Sequence, residues 1–101
     1  MKIKIFNIMN RRKKDYKNIY ELELVSGYKI YCYSYEFIAY QDLSNNWILC
    51  DYNCGLKVSQ STVSLECATQ FLKENFERYL NAIKTQEYQL LCGLFRDLQK
   101  K

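Results

Sequence analysis

Residues 28–40 read YKIYCYSYEFIAY, and aromatic side chains occupy every second position from Tyr31 to Phe37. A period of two is typical of a β-strand, because successive side chains point to opposite faces of a sheet. The preceding segment, Ile19 to Val25, also alternates, and Ser26-Gly27 lies between the two. Two alternating runs joined by two turn-forming residues predict a β-hairpin. This hairpin is the centre of the predicted fold.

The aromatic row of this strand has two interpretations. One face of the predicted strand is the more apolar, and the helices of a two-layer domain need such a face to pack against. The members of that face are Tyr31, Tyr33, Tyr35, Phe37 and Ala39. We therefore expect the row to lie in the core. Alternatively, a bulge near Ser34 would shift the alternation and turn Tyr33 or Tyr35 towards solvent as a binding surface.

Shorter segments extend the predicted sheet on both sides of the hairpin. Alternation predicts a strand over Met1 to Met9, and a short apolar run predicts another over Trp47 to Tyr52. Leu56 to Val58 is expected to form an edge strand. The polar segment Asn10 to Asn18 has no period and predicts a loop.

From Ser64 onwards the apolar residues recur at intervals of three and four, which predicts an amphipathic helix with Ser64 as its N-cap. The apolar stripe continues over Tyr88 to Leu98 after a polar interval at Lys84 to Glu87. We expect two helices, with Thr85 capping the second, although one long helix also fits the stripe. The sequence thus predicts a single α+β domain over residues 1–101. In it, an N-terminal antiparallel sheet of four to five strands is followed by two C-terminal helices packed on one face.

The composition argues against most enzymes. The 101 residues include no His, so neither a Ser-His nor a Cys-His nucleophile pair can form. There are only three Gly and no glycine-rich phosphate motif, and the five Cys do not follow the paired spacing of zinc ligands. We expect a non-enzymatic protein without catalytic residues, metal or cofactor, whose thiols are free and mostly buried.

The hydropathy pattern bears on location. No apolar run approaches the roughly 20 residues that span a bilayer, and the N-terminus alternates Lys with Ile where a signal peptide would be continuously apolar. We therefore expect a cytoplasmic protein that does not associate with membranes.

Positive charge is concentrated near the N-terminus. Residues 1–17 hold seven basic side chains against Asp15 alone, a net charge of +6, whereas the whole chain carries +4 and the remaining residues therefore carry −2. Such a cluster serves as a solvated loop, or it contacts phosphates or an acidic protein surface. The candidate partner-binding residues are Arg11, Arg12, Lys13, Lys14 and Lys17, together with Tyr33 and Tyr35.

Two short elements carry a resemblance to a known family. Residues 34–39 read SYEFIA, and residues 63–71 read VSLECATQF. They resemble S-Y-x-T-x-[IV]-A and a helix start T-T-x-x-H-x-x-x-F in a family of short, uncharacterised domains encoded by tailed phages. Phe37 stands where that family has Thr, and Cys67 stands where it has His. The resemblance covers residues 33–72 and implies a phage or mobile-element origin, with no established activity attached to it.

Three functional hypotheses follow. The first is a binding protein in the host cytosol that inhibits or modulates a host protein, for example a nucleic-acid-handling defence enzyme, as anti-CRISPR proteins do. The second is a single-stranded nucleic-acid-binding module that holds phosphates with the basic loop and stacks bases on sheet aromatics. The third is a homo-oligomeric structural phage component that uses the helix face from Tyr88 to Leu98.

Overall fold

The structure, a computed structural model, describes residues 2–100. Its elements are the strands β1 (Lys4–Lys14), β2 (Lys17–Cys32), β3 (Tyr35–Gln41) and β4 (Trp47–Asp51), followed by the helices α1 (Leu65–Glu74), α2 (Phe76–Ala82) and α3 (Gln86–Gln99). The strands form one antiparallel sheet in the order β1-β2-β3-β4. The predicted α+β class is confirmed, but the described residues form three helices where two were expected. Asn75 separates α1 from α2.

The turns at the two ends of β2 differ from the prediction. Ser26-Gly27 is not a turn, because β2 runs straight through it. The chain reverses instead at Asp15-Tyr16 and at Tyr33-Ser34. All four of these residues have positive φ, at 54°, 65°, 49° and 72° in chain order, which is the type I′ pattern that matches the twist of hairpin strands. The segment Asn10 to Asn18, expected to be a loop, is therefore mostly paired strand.

Gly27 has a different purpose from the one that the sequence suggested. A Cβ at this position would lie 3.0 Å from the Cβ of Tyr40 and closer still to the carbonyl oxygen of Ala39. The residue is needed where β2 lies closely against its neighbour β3, not where the chain turns. It is also where the partner of β2 changes: β1 pairs with β2 up to Gly27, β3 pairs with β2 from Gly27 onwards, and Gly27 itself is paired with both Lys4 and Tyr40.

The sheet is strongly curled. A straight strand of 16 residues would span about 50 Å, yet the longest dimension of the protein is 34 Å. Ile8 of β1 packs in one buried cluster with Ile38 of β3 and with Ile48 and Cys50 of β4. The two ends of the sheet also meet at a hydrogen bond of 2.8 Å from the Met9 amide to the carbonyl of Gly55, just beyond β4. One core therefore lies inside the curl.

A second core lies between the sheet and the first two helices. Its sheet side is formed by residues such as Phe37 and Leu49, and its helix side by Ala68, Leu72 and Phe76. The two predicted helix caps are confirmed, since Ser64 accepts a hydrogen bond from the Cys67 amide and Thr85 accepts one from the Tyr88 amide, each at 3.1 Å. The predicted edge strand at Leu56 to Val58 is reduced to a bridge between Cys50 and Lys57. None of the helices within residues 2–100 is both long and apolar enough to cross a membrane.

The aromatic row is divided by the turn at Tyr33-Ser34. Phe37 is fully buried as expected, but Tyr31 and Tyr33 are each 63% exposed and Tyr35 is 38% exposed. The expectation that the whole row lies in the core is wrong, because the strand ends and reverses within it. The outward placement of Tyr33 and Tyr35 is the alternative that the sequence left open, produced by a turn where a bulge was considered.

The cysteines are free, as expected. Cys32, Cys50 and Cys54 are buried, Cys92 is partly buried and Cys67 is exposed on α1. Burial raises the pKa of the Cys50 thiol to about 12. The three buried thiols serve as small apolar side chains in the core.

Candidate functional site

The basic cluster lies on a projecting hairpin. We call residues 10–21 the basic arm; they form the end of the β1–β2 hairpin, with Asp15 and Tyr16 at its tip. Every residue from Arg11 to Asn18 is solvent-exposed. The arm therefore extends beyond the cores, and its strands are held mainly by backbone pairing.

The arm presents positive charge on both of its faces. Side chains of directly opposed residues share a face in an antiparallel pair, and neighbours along a strand alternate. Arg11 and Lys13 thus lie on one face, and Arg12 lies on the other with Lys14 and its partner Lys17. An arrangement of this kind suits a site with negative charge on two sides.

Most of this charge is not neutralised within the protein. Arg12 forms an exposed ion pair with Glu21, in which Nη2 lies 2.7 Å from Oε1 and Nε lies 3.1 Å from it. Among residues 2–100, no carboxylate lies within salt-bridge distance of the other four cations of the arm. The arm can therefore offer these four charges to a partner without breaking any internal pair.

The two candidate tyrosines lie on the other hairpin of the sheet. We call Tyr31, Tyr33 and Tyr35 the aromatic tip. The Tyr33 and Tyr35 rings contact Phe76 of α2 edge to face, with centroids 4.9 Å and 5.6 Å apart. Each ring is therefore held from one side by the helix and keeps its other side open to solvent.

The structure separates these two groups of candidate residues. Lys17 is the first residue of β2 and Cys32 is the last, so the basic arm and the aromatic tip lie at opposite ends of the same strand. They form two surfaces. A single platform that combines the cations with Tyr33 and Tyr35, as the sequence suggested, is not formed.

Sequence reasoning missed Tyr16. This residue is fully exposed, with a relative accessibility of 103%, and it lies at the tip of the basic arm. Its neighbours gave a weak signal, since Asp15 is a residue that tolerates positive φ and could have indicated a turn within the polar segment.

A buried polar cluster surrounds Asp51, which is 1% exposed at the end of β4. Its carboxylate accepts hydrogen bonds from the Asn53 and Cys54 amides at 2.7 and 2.9 Å, and from the hydroxyls of Tyr79 and Tyr88. Burial, together with Asp51, raises the pKa of both tyrosines above the usual value. Because all of these groups are already paired, the cluster joins β4 to α2 and α3 and offers no free acid or base.

The helix face considered for self-association is partly used within the protein, and its Leu91, Leu94 and Leu98 remain partly exposed. Tyr88 of α3 donates a hydrogen bond to Asp51. Phe95 of α3 packs against Gly55 and is only 4% exposed. Within residues 2–100, no three Cys, Asp or Glu side chains are grouped as a metal site would require.

Known proteins give no further guide, because no family model, curated protein or solved structure matches this chain.

Proposed function

We propose that the protein is a non-enzymatic nucleic-acid-binding protein that inserts its basic arm into a groove of a duplex. The observation that carries this proposal is the presence of cations on both faces of an exposed two-stranded ribbon. The absence of His from the chain supports a binding role over a catalytic one.

The dimensions of the arm suit a groove. Its two strands lie about 4.8 Å apart, and the major groove of B-form DNA, about 12 Å wide, admits a two-stranded ribbon. A ribbon in this position has a phosphate backbone on each side, and Arg11 with Lys13 would face one backbone while Arg12 with Lys14 would face the other. A flat acidic protein surface would engage only one of these faces.

A duplex is favoured over the single strand considered from the sequence. The single-stranded hypothesis needs aromatic rings and cations along one path, so that bases stack while phosphates are held. Tyr33 and Tyr35 lie at the far end of β2 from the cations. Contacts with the phosphate backbone along a groove need only the cations of the basic arm.

The proposal is tested by fluorescence anisotropy with a 20-base-pair duplex over a range of salt concentrations. Phosphate contacts by the four unpaired cations would give a plot of log affinity against log salt with a slope of about −3 to −4. The decisive variant replaces Arg11, Arg12, Lys13, Lys14 and Lys17 by Ala. The matched control replaces five exposed cations of the helical region by Ala, namely Lys73, Arg78, Lys84, Arg96 and Lys100.

We expect the arm variant to lose both affinity and salt dependence, and the control to keep the larger part of each. Equal losses in the two variants would show general charge attraction without a role for the arm. No binding by the unaltered protein at low salt would reject the proposal.

A second candidate function is supported by the aromatic tip. Exposed tyrosines are typical of protein interfaces; Tyr31 and Tyr33 are each 63% exposed, and the Tyr33 ring is also held from one side by Phe76. On this proposal the protein, of phage or mobile-element origin as its resemblance implies, would bind and modulate a host protein such as a defence enzyme. A pull-down from a bacterial lysate with and without nuclease separates the two functions. The second function would be favoured by a protein partner that is still recovered after nuclease treatment. The Tyr31→Ala/Tyr33→Ala variant should then lose this partner, and the arm variant should keep it.

A further inference from the structure

The turn at the tip of the basic arm contains an unfavourable residue. Type I′ turns favour Asn-Gly or Asp-Gly, because both central residues need positive φ. Asp15 fits the first position, but the second is held by Tyr16 at φ 65°. A bulky side chain is strained in this region, where glycine is not.

Packing does not account for this tyrosine. The other type I′ turn also contains a tyrosine with positive φ, Tyr33 at 49°, but its ring packs against Phe76 with centroids 4.9 Å apart. Tyr16 has no such contact, since it is 103% exposed. Residues that are held in a strained backbone conformation, and whose side chains make no packing contact to compensate for the strain, are concentrated at functional sites.

The surroundings of Tyr16 indicate what its ring would contact. Lys14 and Lys17 are the paired residues that flank the turn, and Lys13 follows on the other face. An aromatic ring among cations is the combination by which proteins stack bases while holding the adjoining phosphates. We propose that Tyr16 stacks on an unpaired base next to a duplex, an inference that rests on the proposed function of the arm.

This assignment narrows the class of nucleic acid. Bases inside a regular duplex are already stacked on their neighbours, so they offer no face to a ring at the end of the arm. A base in a bulge, a loop or a junction does offer one, and the adjoining duplex still provides the groove for the cations. The arm would therefore prefer a duplex interrupted by an unpaired base to a perfect one.

The test compares the perfect duplex with the same duplex carrying a single bulged 2-aminopurine. Tyr16→Gly creates the favoured Asp-Gly turn, so we expect it to raise the melting temperature. It removes the ring, so we expect binding to the bulged duplex to weaken by about 5- to 150-fold, as the loss of one base stack implies. Binding to the perfect duplex should not weaken. Tyr16→Phe keeps the ring and should keep the preference for the bulge.

Fluorescence of the bulged 2-aminopurine provides a second measurement of stacking. Stacking on the ring should quench 2-aminopurine with the unaltered protein and with Tyr16→Phe, but not with Tyr16→Gly. If Tyr16→Gly bound the bulged duplex as tightly as the unaltered protein, the stacking role would be wrong while the role of the cations stood. If the unaltered protein bound neither duplex, the proposed function itself would fail. If the pull-down recovered a protein partner after nuclease treatment and Tyr16→Gly abolished that recovery, Tyr16 would contact a protein and the assignment to a base would be overturned.

Discussion

Tyr88 of α3 donates a hydrogen bond to the buried carboxylate of Asp51, with its Oη 2.9 Å from Oδ2 and 3.0 Å from Oδ1. Tyr79 of α2 donates to the same carboxylate. The end of β4 is thereby joined to two helices through one side chain, and the two amides of the following turn complete its hydrogen bonding.

Removal of the Tyr88 hydroxyl should therefore destabilise the fold. Tyr88→Phe keeps the ring but takes one donor from a buried carboxylate, and hydrogen bonds to charged groups contribute about 1.5 to 3 kcal/mol. We expect a loss of this size in the free energy of unfolding, measured by urea denaturation. Tyr31→Phe is the matched control, because its side chain is largely exposed and its change should stay within about 0.5 kcal/mol.

The same cluster gives the protein an alkaline limit. The pKa values of Tyr79 and Tyr88 are raised in the folded state, first by burial and then by Asp51. Above the ordinary tyrosine pKa, near 10, the unfolded chain loses protons that the folded protein retains, so stability falls as pH rises. Each tyrosine should contribute a slope of up to about 1.4 kcal/mol per pH unit. Unfolding measured from pH 9 to 11 should show a smaller slope in Tyr88→Phe, and an unchanged slope would contradict this explanation.

Two glycines should respond to alanine in opposite directions. Gly27→Ala places a Cβ against the β3 backbone, and overpacking of this kind costs about 1 to 3 kcal/mol. Gly93 lies inside α3, where the nearest atom to an added Cβ is Arg96 Nη2 at 3.9 Å. Gly93→Ala should stabilise the protein by up to about 1 kcal/mol, because alanine favours the helix. Thermal denaturation of the two variants measures both effects, and a neutral Gly27→Ala would mean that β2 and β3 can move apart enough at Gly27 to admit a Cβ.

The ion pair on the arm should restrain nucleic-acid binding. Glu21 holds Arg12, and its removal frees a fifth cation on the face that carries Lys14 and Lys17. Exposed pairs contribute about 0.2 to 1 kcal/mol, so Glu21→Gln should tighten duplex binding by about 1.5- to 5-fold at low salt. The gain should disappear at high salt, where exposed charges are screened. Unchanged duplex binding by Glu21→Gln at low salt would place Arg12 outside the contact.

The sequence predicts the class of fold because alternation and helical periodicity are strong in β2, β3 and α1. It does not predict the two turns that bound β2. Gly27 was read as a turn residue because glycine is common there, whereas its purpose is a close approach between strands, which depends on tertiary contacts. The turns in use, Asp15-Tyr16 and Tyr33-Ser34, contain no glycine, and local sequence does not reveal their positive φ.

The candidate site is also predictable only in part. Exposure of Arg11 to Lys14 follows from their charge, but their division between two faces follows only once the segment is known to be a strand. The separation of these cations from Tyr33 depends on the path of β2, which no local pattern contains. Asp51 lies in a short apolar run, and its burial depends on Tyr79 and Tyr88, which lie far along the chain.

The exposure of the arm has a consequence for its motion. A two-stranded ribbon without side-chain packing is only marginally stable, so residues 11–18 should open locally at a free energy well below that of global unfolding. Their amides should exchange with solvent far faster than those of Ile38 or Leu49, and a groove that closes around the arm should slow that exchange. Part of the interaction energy would then be used to order the ribbon, which gives the protein a way to adjust its fit without disturbing either core.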